Sequence, residues 1–130
     1  MELLVTICII AVLSSIILFS ITQYIGKGKD ASVKGYLAIM VPAGEKYYDS
    51  NNESYSGFCQ SDVKNNSFSE INSALPGAEK YCAVNENGNS WSACSQLSDQ
   101  SRAYCVDSRG IKREIEMAGC REGVTQCPDN

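Results

Sequence analysis

The amino-acid sequence predicts an α+β protein in which a long N-terminal α-helix packs on a small antiparallel β-sheet head with three disulfides. Three features lead to this prediction. The N-terminal segment is apolar and almost free of charge, the next segment has apolar residues at helical spacing, and the rest combines short β-rich segments with turns and cysteines. We therefore expect three parts, namely residues 1–26, 27–50 and 51–130.

The apolar segment extends from Leu3 to Ile25, which are 23 consecutive residues without a charge. As a helix at about 1.5 Å per residue it would span ~35 Å, enough for a hydrocarbon core of ~30 Å. A cleaved signal peptide fits poorly, because such peptides have a basic start and an apolar core of about 7–15 residues, whereas Glu2 precedes this run. An ordinary signal anchor is also awkward, because Lys27 and Lys29 favour a cytoplasmic C-terminal side.

The second part of the helix is predicted to be amphipathic. Its apolar and small residues recur at spacings of three and four, at Val33, Leu37, Met40, Val41, Gly44, Tyr47 and Tyr48. This stripe predicts a helix from about residue 30 to residue 49 that packs on a sheet. Gly26 and Gly28 weaken the helix near its membrane exit, and Pro42 removes a hydrogen bond within it. We expect a bend or a melted turn at one of these places.

The head is predicted to be a meander of three or four antiparallel strands. Short apolar segments alternate with turn-forming residues at 85–88, 98–101 and 107–110. The expected strands are Tyr81–Val84, Trp91–Leu97, Arg102–Val106 and Ile111–Ile115. A head of roughly 80 residues buries little apolar surface, so we expect it to need covalent stabilisation.

The cysteines indicate an oxidising compartment. Cys8 lies in the apolar run, and the other six follow it, at Cys59, Cys82, Cys94, Cys105, Cys120 and Cys127. An even number on one side of a membrane segment favours three disulfides, whereas a zinc site would need Cys-x-x-Cys pairs or histidine. Cys94 and Cys105 are equidistant from the middle of one turn, so a hairpin places them opposite each other. We predict a Cys94–Cys105 disulfide.

The composition argues against catalysis and nucleic-acid binding. The chain has no histidine, which removes the commonest general base and metal ligand, and its net charge is −4. The small basic group of Arg109, Lys112 and Arg113 is expected to be a solvated strand face. Carboxylates in loops do not follow the spacing of a calcium loop and are expected to be solvated turn residues: Asp62, Asp99, Asp107 and Asp129. We expect no cofactor, no metal and no enzymatic activity.

The segment Met1-Glu2-Leu3-Leu4-Val5-Thr6-Ile7, with the apolar residues that follow it, resembles the N-terminal helix of type IV pilins and type II secretion pseudopilins. Members of that family have a short basic leader ending in glycine and then a pattern such as Phe-Thr-Leu-Met-Glu-Leu-Leu-Val. The resemblance implies a leader and about three mature residues upstream of Met1. The basic charges of such a leader would outweigh Lys27 and Lys29 and place the head outside the cytoplasm.

The resemblance also implies roles for individual residues. Glu2, followed by Leu3, Leu4 and Val5, would pair with the N-terminal amine of a neighbouring subunit during filament assembly. Without the resemblance, Glu2 is equally well explained as a carboxylate that favours the dipole at a helix start. Part of the helix often melts on assembly in this family, usually around a proline. This sequence lacks a proline there, so Gly26 and Gly28 are the expected melting positions.

The head resembles the family less strongly. Tyr104–Gly110 is similar to a Trp/Tyr-Cys-Val-Asp-Ser-x-Gly segment of many bacterial pilin heads. A short disulfide-closed loop near the C-terminus is also common there, which implies a Cys120–Cys127 bond and leaves Cys59 with Cys82.

The function implied by the resemblance is a structural subunit of a type IV pilus-like filament. The chain would wait in the cytoplasmic membrane with its head outside, and then polymerise through its N-terminal helix into a cell-surface filament. The implied partners are copies of itself, the lipid bilayer, the assembly machinery and a prepilin peptidase, and no nucleic acid. The alternative is a single-pass, membrane-anchored, disulfide-rich binding ectodomain that does not polymerise.

Overall fold

The computed structural model describes residues 1–129. A long helix α1 (Glu2–Ser50) is followed by α2 (Asp62–Ala74) and by four strands, β1 (Lys80–Val84), β2 (Trp91–Gln96), β3 (Arg102–Asp107) and β4 (Lys112–Glu116). The strands form one antiparallel sheet in the order β1-β2-β3-β4. The predicted α+β class, with a long N-terminal helix, an antiparallel sheet and three disulfides, is confirmed.

Helix α1 packs on the sheet through its second half only. Its buried residues are Val33, Leu37, Met40 and Gly44, and all four belong to the predicted stripe, whose other members are partly buried. The helix has 49 residues, so its length is about 74 Å. The backbone stays helical through Gly26, Gly28 and Pro42, so the melted turn expected at one of these places is absent from this structure.

The main core lies between α1 and one face of the sheet, with Trp91 at its centre. The Trp91 ring lies 4.6 Å from that of Phe58 and 6.4 Å from that of Tyr55, between ring centroids. Tyr55 is buried and its hydroxyl donates to Glu45 at 2.9 Å. Burial, together with this hydrogen bond, raises the pKa of Tyr55 to about 12.

Helix α2 was not among the predicted elements. It begins after Ser61, whose hydroxyl accepts a hydrogen bond from the Lys64 amide at 3.5 Å, and it buries Ser67 and Ile71 four residues apart. Asn and Ser are abundant in it, and these residues have weak helix propensity because their side chains compete for backbone hydrogen bonds. Packing against α1 therefore decides that this segment is helical.

The disulfide pairing is Cys59–Cys82, Cys94–Cys120 and Cys105–Cys127. The Cys59–Cys82 bond is the one that was predicted. The predicted Cys94–Cys105 and Cys120–Cys127 bonds are wrong. The predicted register is correct, because Cys94 does lie opposite Cys105. However, Cβ atoms of opposed residues are about 4.5–5.5 Å apart, at or beyond the upper end of the ~3.5–4.5 Å range found in disulfides.

Cys94 and Cys105 instead form disulfides with the C-terminal segment, residues 117–129, which covers the other face of the sheet. Both belong to a second buried cluster that is separate from the α1 core and includes Cys120 and Cys127. Because side chains alternate along a strand, one face of the sheet packs on α1 and the opposite face holds the C-terminal segment.

Asp107 also holds this segment, which corrects the expectation that it is a solvated turn residue. Its carboxylate is fully buried. It accepts hydrogen bonds from the Cys127 amide at 3.0 Å, from the Arg109 amide at 3.0 Å and from the Arg109 guanidinium at 2.6 and 2.9 Å. A buried carboxylate needs such partners. Asp62, Asp99 and Asp129 are exposed, as expected.

A polar contact joins the helix to the edge of the sheet. Lys34 of α1 and Arg102 of β3 both form ion pairs with Glu114 of β4. The Arg102 guanidinium lies 3.2 Å from the Glu114 carboxylate. The Lys34 ammonium, hydrogen-bonded to Glu114, is the main reason why the pKa of this carboxyl lies below its usual range. The three side chains are more than one third exposed, so this contact fixes the position of the helix more than it stabilises the fold.

Candidate functional site

The first half of α1 leaves a large apolar surface uncovered. Every residue from Met1 to Ile25 is exposed, and none is buried against the head. The large apolar side chains among them are each at least 46 % exposed, at Met1, Leu3, Leu4, Val5, Ile7, Ile9, Ile10, Val12, Leu13, Ile16, Ile17, Leu18, Phe19, Ile21, Tyr24 and Ile25. Exposed apolar patches of this size mark a surface that contacts lipid or protein.

This part of α1 has the properties of a membrane-spanning helix. Among residues 1–129, α1 is the one helix that is long and apolar enough to cross a membrane by length and composition. Core helices and signal sequences meet the same criterion, but none of the apolar window of α1 is buried, so this window does not belong to the core of the chain. Residues 2–25 would extend about 36 Å as a helix, slightly more than the ~30 Å hydrocarbon core.

Three of the polar side chains on this surface form hydrogen bonds within the helix. The hydroxyls of Thr6, Ser15 and Thr22 donate to the carbonyl oxygens three residues earlier, at 2.9, 2.8 and 3.0 Å. A hydroxyl bonded in this way can enter hydrocarbon or a helix–helix contact without leaving an unpaired donor. Apart from its first turn, the helix therefore presents a neutral surface as far as Lys27.

Glu2 is the exception, and it lies in the first turn of α1. It is exposed, and it forms no ion pair within the part of the chain that the structure describes. Leu3, Leu4 and Val5 follow it with exposed fractions of 73, 62 and 58 %. The predicted assembly residues thus form one continuous exposed turn, in which a single carboxylate adjoins an apolar surface. A carboxylate in such a place is costly without a partner.

Gly26 and Gly28 lie where the apolar half of α1 meets the packed half. Gly28 is exposed and Gly26 is partly covered by the head. Both are helical in this structure, which describes one chain without neighbours, and melting was expected in the assembled state. The melting positions therefore stay a prediction.

Two features of the site were missed by the sequence reasoning. The first is a contact between Ser98, at the tip of the β2–β3 turn, and Gly26 and Asp30 of α1. The second is the attachment of the C-terminal segment through Asp107. For Asp107 a signal existed, because Asp-x-Arg-Gly at a tight turn can pair its own charges. Nothing in the local sequence indicated the contact of Ser98, which joins residues about 70 positions apart.

Comparisons with known proteins leave the family open. The chain matches no protein-family model, no curated protein and no solved structure. Within residues 1–129, no group of three or more His, Cys, Asp or Glu side chains could hold a metal ion.

Proposed function

We propose that this chain is the structural subunit of a type IV pilus-like filament. The apolar half of α1 holds the subunit in the cytoplasmic membrane, with the head outside the cytoplasm, and the same surface later packs against α1 of other copies. The head forms the outside of the filament. In this proposal the partners are copies of the chain, the bilayer, an assembly machinery and a prepilin peptidase, and the chain has no enzymatic activity.

The observation that carries this proposal is the uncovered apolar half of α1 beside a complete head. Fully burying one large aliphatic side chain is favourable by about 1.5–3 kcal/mol, so a helix with this many exposed apolar residues needs lipid or other helices around it. The head does not supply that cover, because its buried contacts with α1 begin only at Val33. Lipid before assembly and neighbouring helices after assembly would both supply it.

Glu2 favours a filament over a simple anchor. In a simple anchor the carboxylate would only favour the dipole at the helix start, whereas in a polymer it can also pair with the N-terminal amine of a neighbouring copy and set the register. The three disulfides favour placement of the head in an oxidising compartment. They also stabilise a head that would stand outside the cell, each typically by about 2–4 kcal/mol.

The substitution Glu2→Leu tests the proposal in the native host. We expect the variant to reach the membrane in normal amounts and to form few or no filaments, because the pairing charge is lost while the apolar helix is kept. Glu116→Leu is the matched control, since Glu116 is an exposed glutamate of β4 far along the chain from α1. Sheared filaments would be counted by electron microscopy, and membrane content by immunoblot.

The outcomes separate the two candidate functions. A selective loss of filaments in Glu2→Leu supports the filament subunit. If the unsubstituted chain forms no filaments, or if Glu2→Leu polymerises normally, the proposal fails. A membrane-anchored binding ectodomain would then be the better account, since such a protein needs the apolar helix but not Glu2.

A further inference from the structure

The tip of the β2–β3 turn contacts α1 at the start of its packed half. The Ser98 amide donates a hydrogen bond to Asp30 Oδ1 at 2.7 Å, and the Ser98 hydroxyl donates to the Gly26 carbonyl oxygen at 3.2 Å. Residues 1–25 are exposed, so Gly26 is the first residue of α1 that the head partly covers. The two hydrogen bonds therefore join the head to the helical turn that adjoins the apolar half.

This turn, residues 26–30, has little helix propensity of its own. Glycine loses more backbone entropy in a helix than any other residue, and the turn contains Gly26 and Gly28. A Cβ built at Gly28 has no atom within 4 Å, and the nearest neighbours of one at Gly26 are Ser98 atoms at 4.0 Å. Neither glycine is needed for a tight contact in the described chain, so the fold of the single chain does not explain their presence.

We propose that Ser98 is a latch that holds this glycine-containing turn helical in the unassembled chain, and that the turn melts only when the latch is released. The holding step depends on the chain alone. The release step rests on the proposed function, because it is filament assembly that would pull the apolar half of α1 away from its original position. Until assembly, the latch would keep α1 continuous through residues 26–30.

Amide hydrogen exchange on the full chain in detergent micelles tests the holding step. The double variant Asp30→Ala/Ser98→Ala removes the carboxylate acceptor and the hydroxyl donor. By helix propensity alone this variant should exchange more slowly at residues 26–30, because alanine is a better helix former than aspartate. We expect the opposite, an exchange that is roughly tenfold faster, because the tertiary hydrogen bonds are lost. Unchanged or slower exchange would overturn the proposal.

Two further variants show whether the effect is local. Gln100→Ala is the control, since Gln100 is exposed on the same tip and its side chain forms no hydrogen bond in residues 1–129; its exchange at residues 26–30 should match the unsubstituted chain. Adding Gly26→Ala and Gly28→Ala to the latch variant should restore slow exchange, because the turn then has high helix propensity. Failure of this rescue would mean that the head as a whole has loosened, which contradicts a local latch.

A covalent lock tests the release step. A Cβ at Gly26 would lie 4.0 Å from Ser98 Cβ, within the range of about 3.5–4.5 Å found in disulfides. We expect Gly26→Cys/Ser98→Cys to reach the membrane, with its extra bond and the three native bonds verified by peptide mapping, and to form no filaments, while each single variant polymerises. If the locked chain polymerises like the unsubstituted one, the release step is wrong although the proposed function holds. If the unsubstituted chain forms no filaments, the proposed function fails, and hydrogen exchange still decides the holding step.

Discussion

Gly44 and Trp91 form the closest contact between α1 and the sheet. A Cβ built at Gly44 would lie 2.8 Å from an atom of the Trp91 indole, which is closer than real side-chain contacts. The absence of a side chain therefore lets the helix approach the fully buried ring. This approach has a cost, since Trp91 Nε1 is buried without a hydrogen-bond partner in residues 1–129, and such a donor typically costs about 1–3 kcal/mol.

We expect Gly44→Ala to lower the free energy of unfolding by about 1–3 kcal/mol, because the added methyl group forces Trp91 or the helix to move. Gly35→Ala is the matched control. Gly35 lies on the same helix, and a Cβ built there meets no atom within 4 Å, so this change should stabilise the chain by about 0.5–1 kcal/mol through helix propensity. Urea unfolding of both variants, followed by tryptophan fluorescence, measures the two effects. Equal effects in both would contradict the contact.

At the scale of elements, the strands and the amphipathic half of α1 could be predicted because their signals are local. Short apolar segments between turns identified the sheet, and the position of Cys94 opposite Cys105 followed from the symmetry of one turn. The disulfides could not be predicted in the same way. Their pairing depends on which segment covers the outer face of the sheet, and the C-terminal segment has no regular pattern that reveals its path.

Helix α2 shows the same limit. Its apolar side is short and consists of the buried Ile71 and the partly buried Val63 and Phe68, and its remaining residues favour turns as much as helices. The segment becomes helical because it packs on α1 and because Cys59, just before it, is bonded to Cys82 of β1. Both causes are tertiary contacts, which a local reading of the sequence does not contain.

Peptide mapping without reduction checks the disulfides. Cys105 and Cys127 lie in different tryptic peptides, residues 103–109 and 122–130. We expect these two peptides to be joined, because Cys105 is bonded to Cys127. Blocking free thiols before tryptic digestion at near-neutral pH limits disulfide exchange during the experiment. Attachment of the first peptide to the one that contains Cys94 would contradict this fold of the C-terminal segment.

At the scale of the whole molecule, the two halves of α1 differ in burial. The second half belongs to the core of the head, where Val33, Leu37 and Met40 are fully buried. The first half contributes nothing to that core. The head first contacts the helix at Gly26, so the fold of the head and the exposed apolar surface of the helix are separable properties.

This separation predicts that a chain lacking residues 1–25 folds by itself. It keeps every buried residue and the contact of Ser98 with Gly26 and Asp30, so we expect a detergent-free monomer with the three disulfides and one cooperative unfolding transition. A chain lacking residues 1–37 is the matched control. It also loses Val33 and Leu37, and the loss of one buried leucine alone typically costs about 2–5 kcal/mol, so its unfolding should lose cooperativity. Size-exclusion chromatography and urea unfolding distinguish the two. If the first fragment aggregates or forms other disulfides, the head depends on the apolar half, and lipid or helix contact would then be part of its folding rather than a separate task.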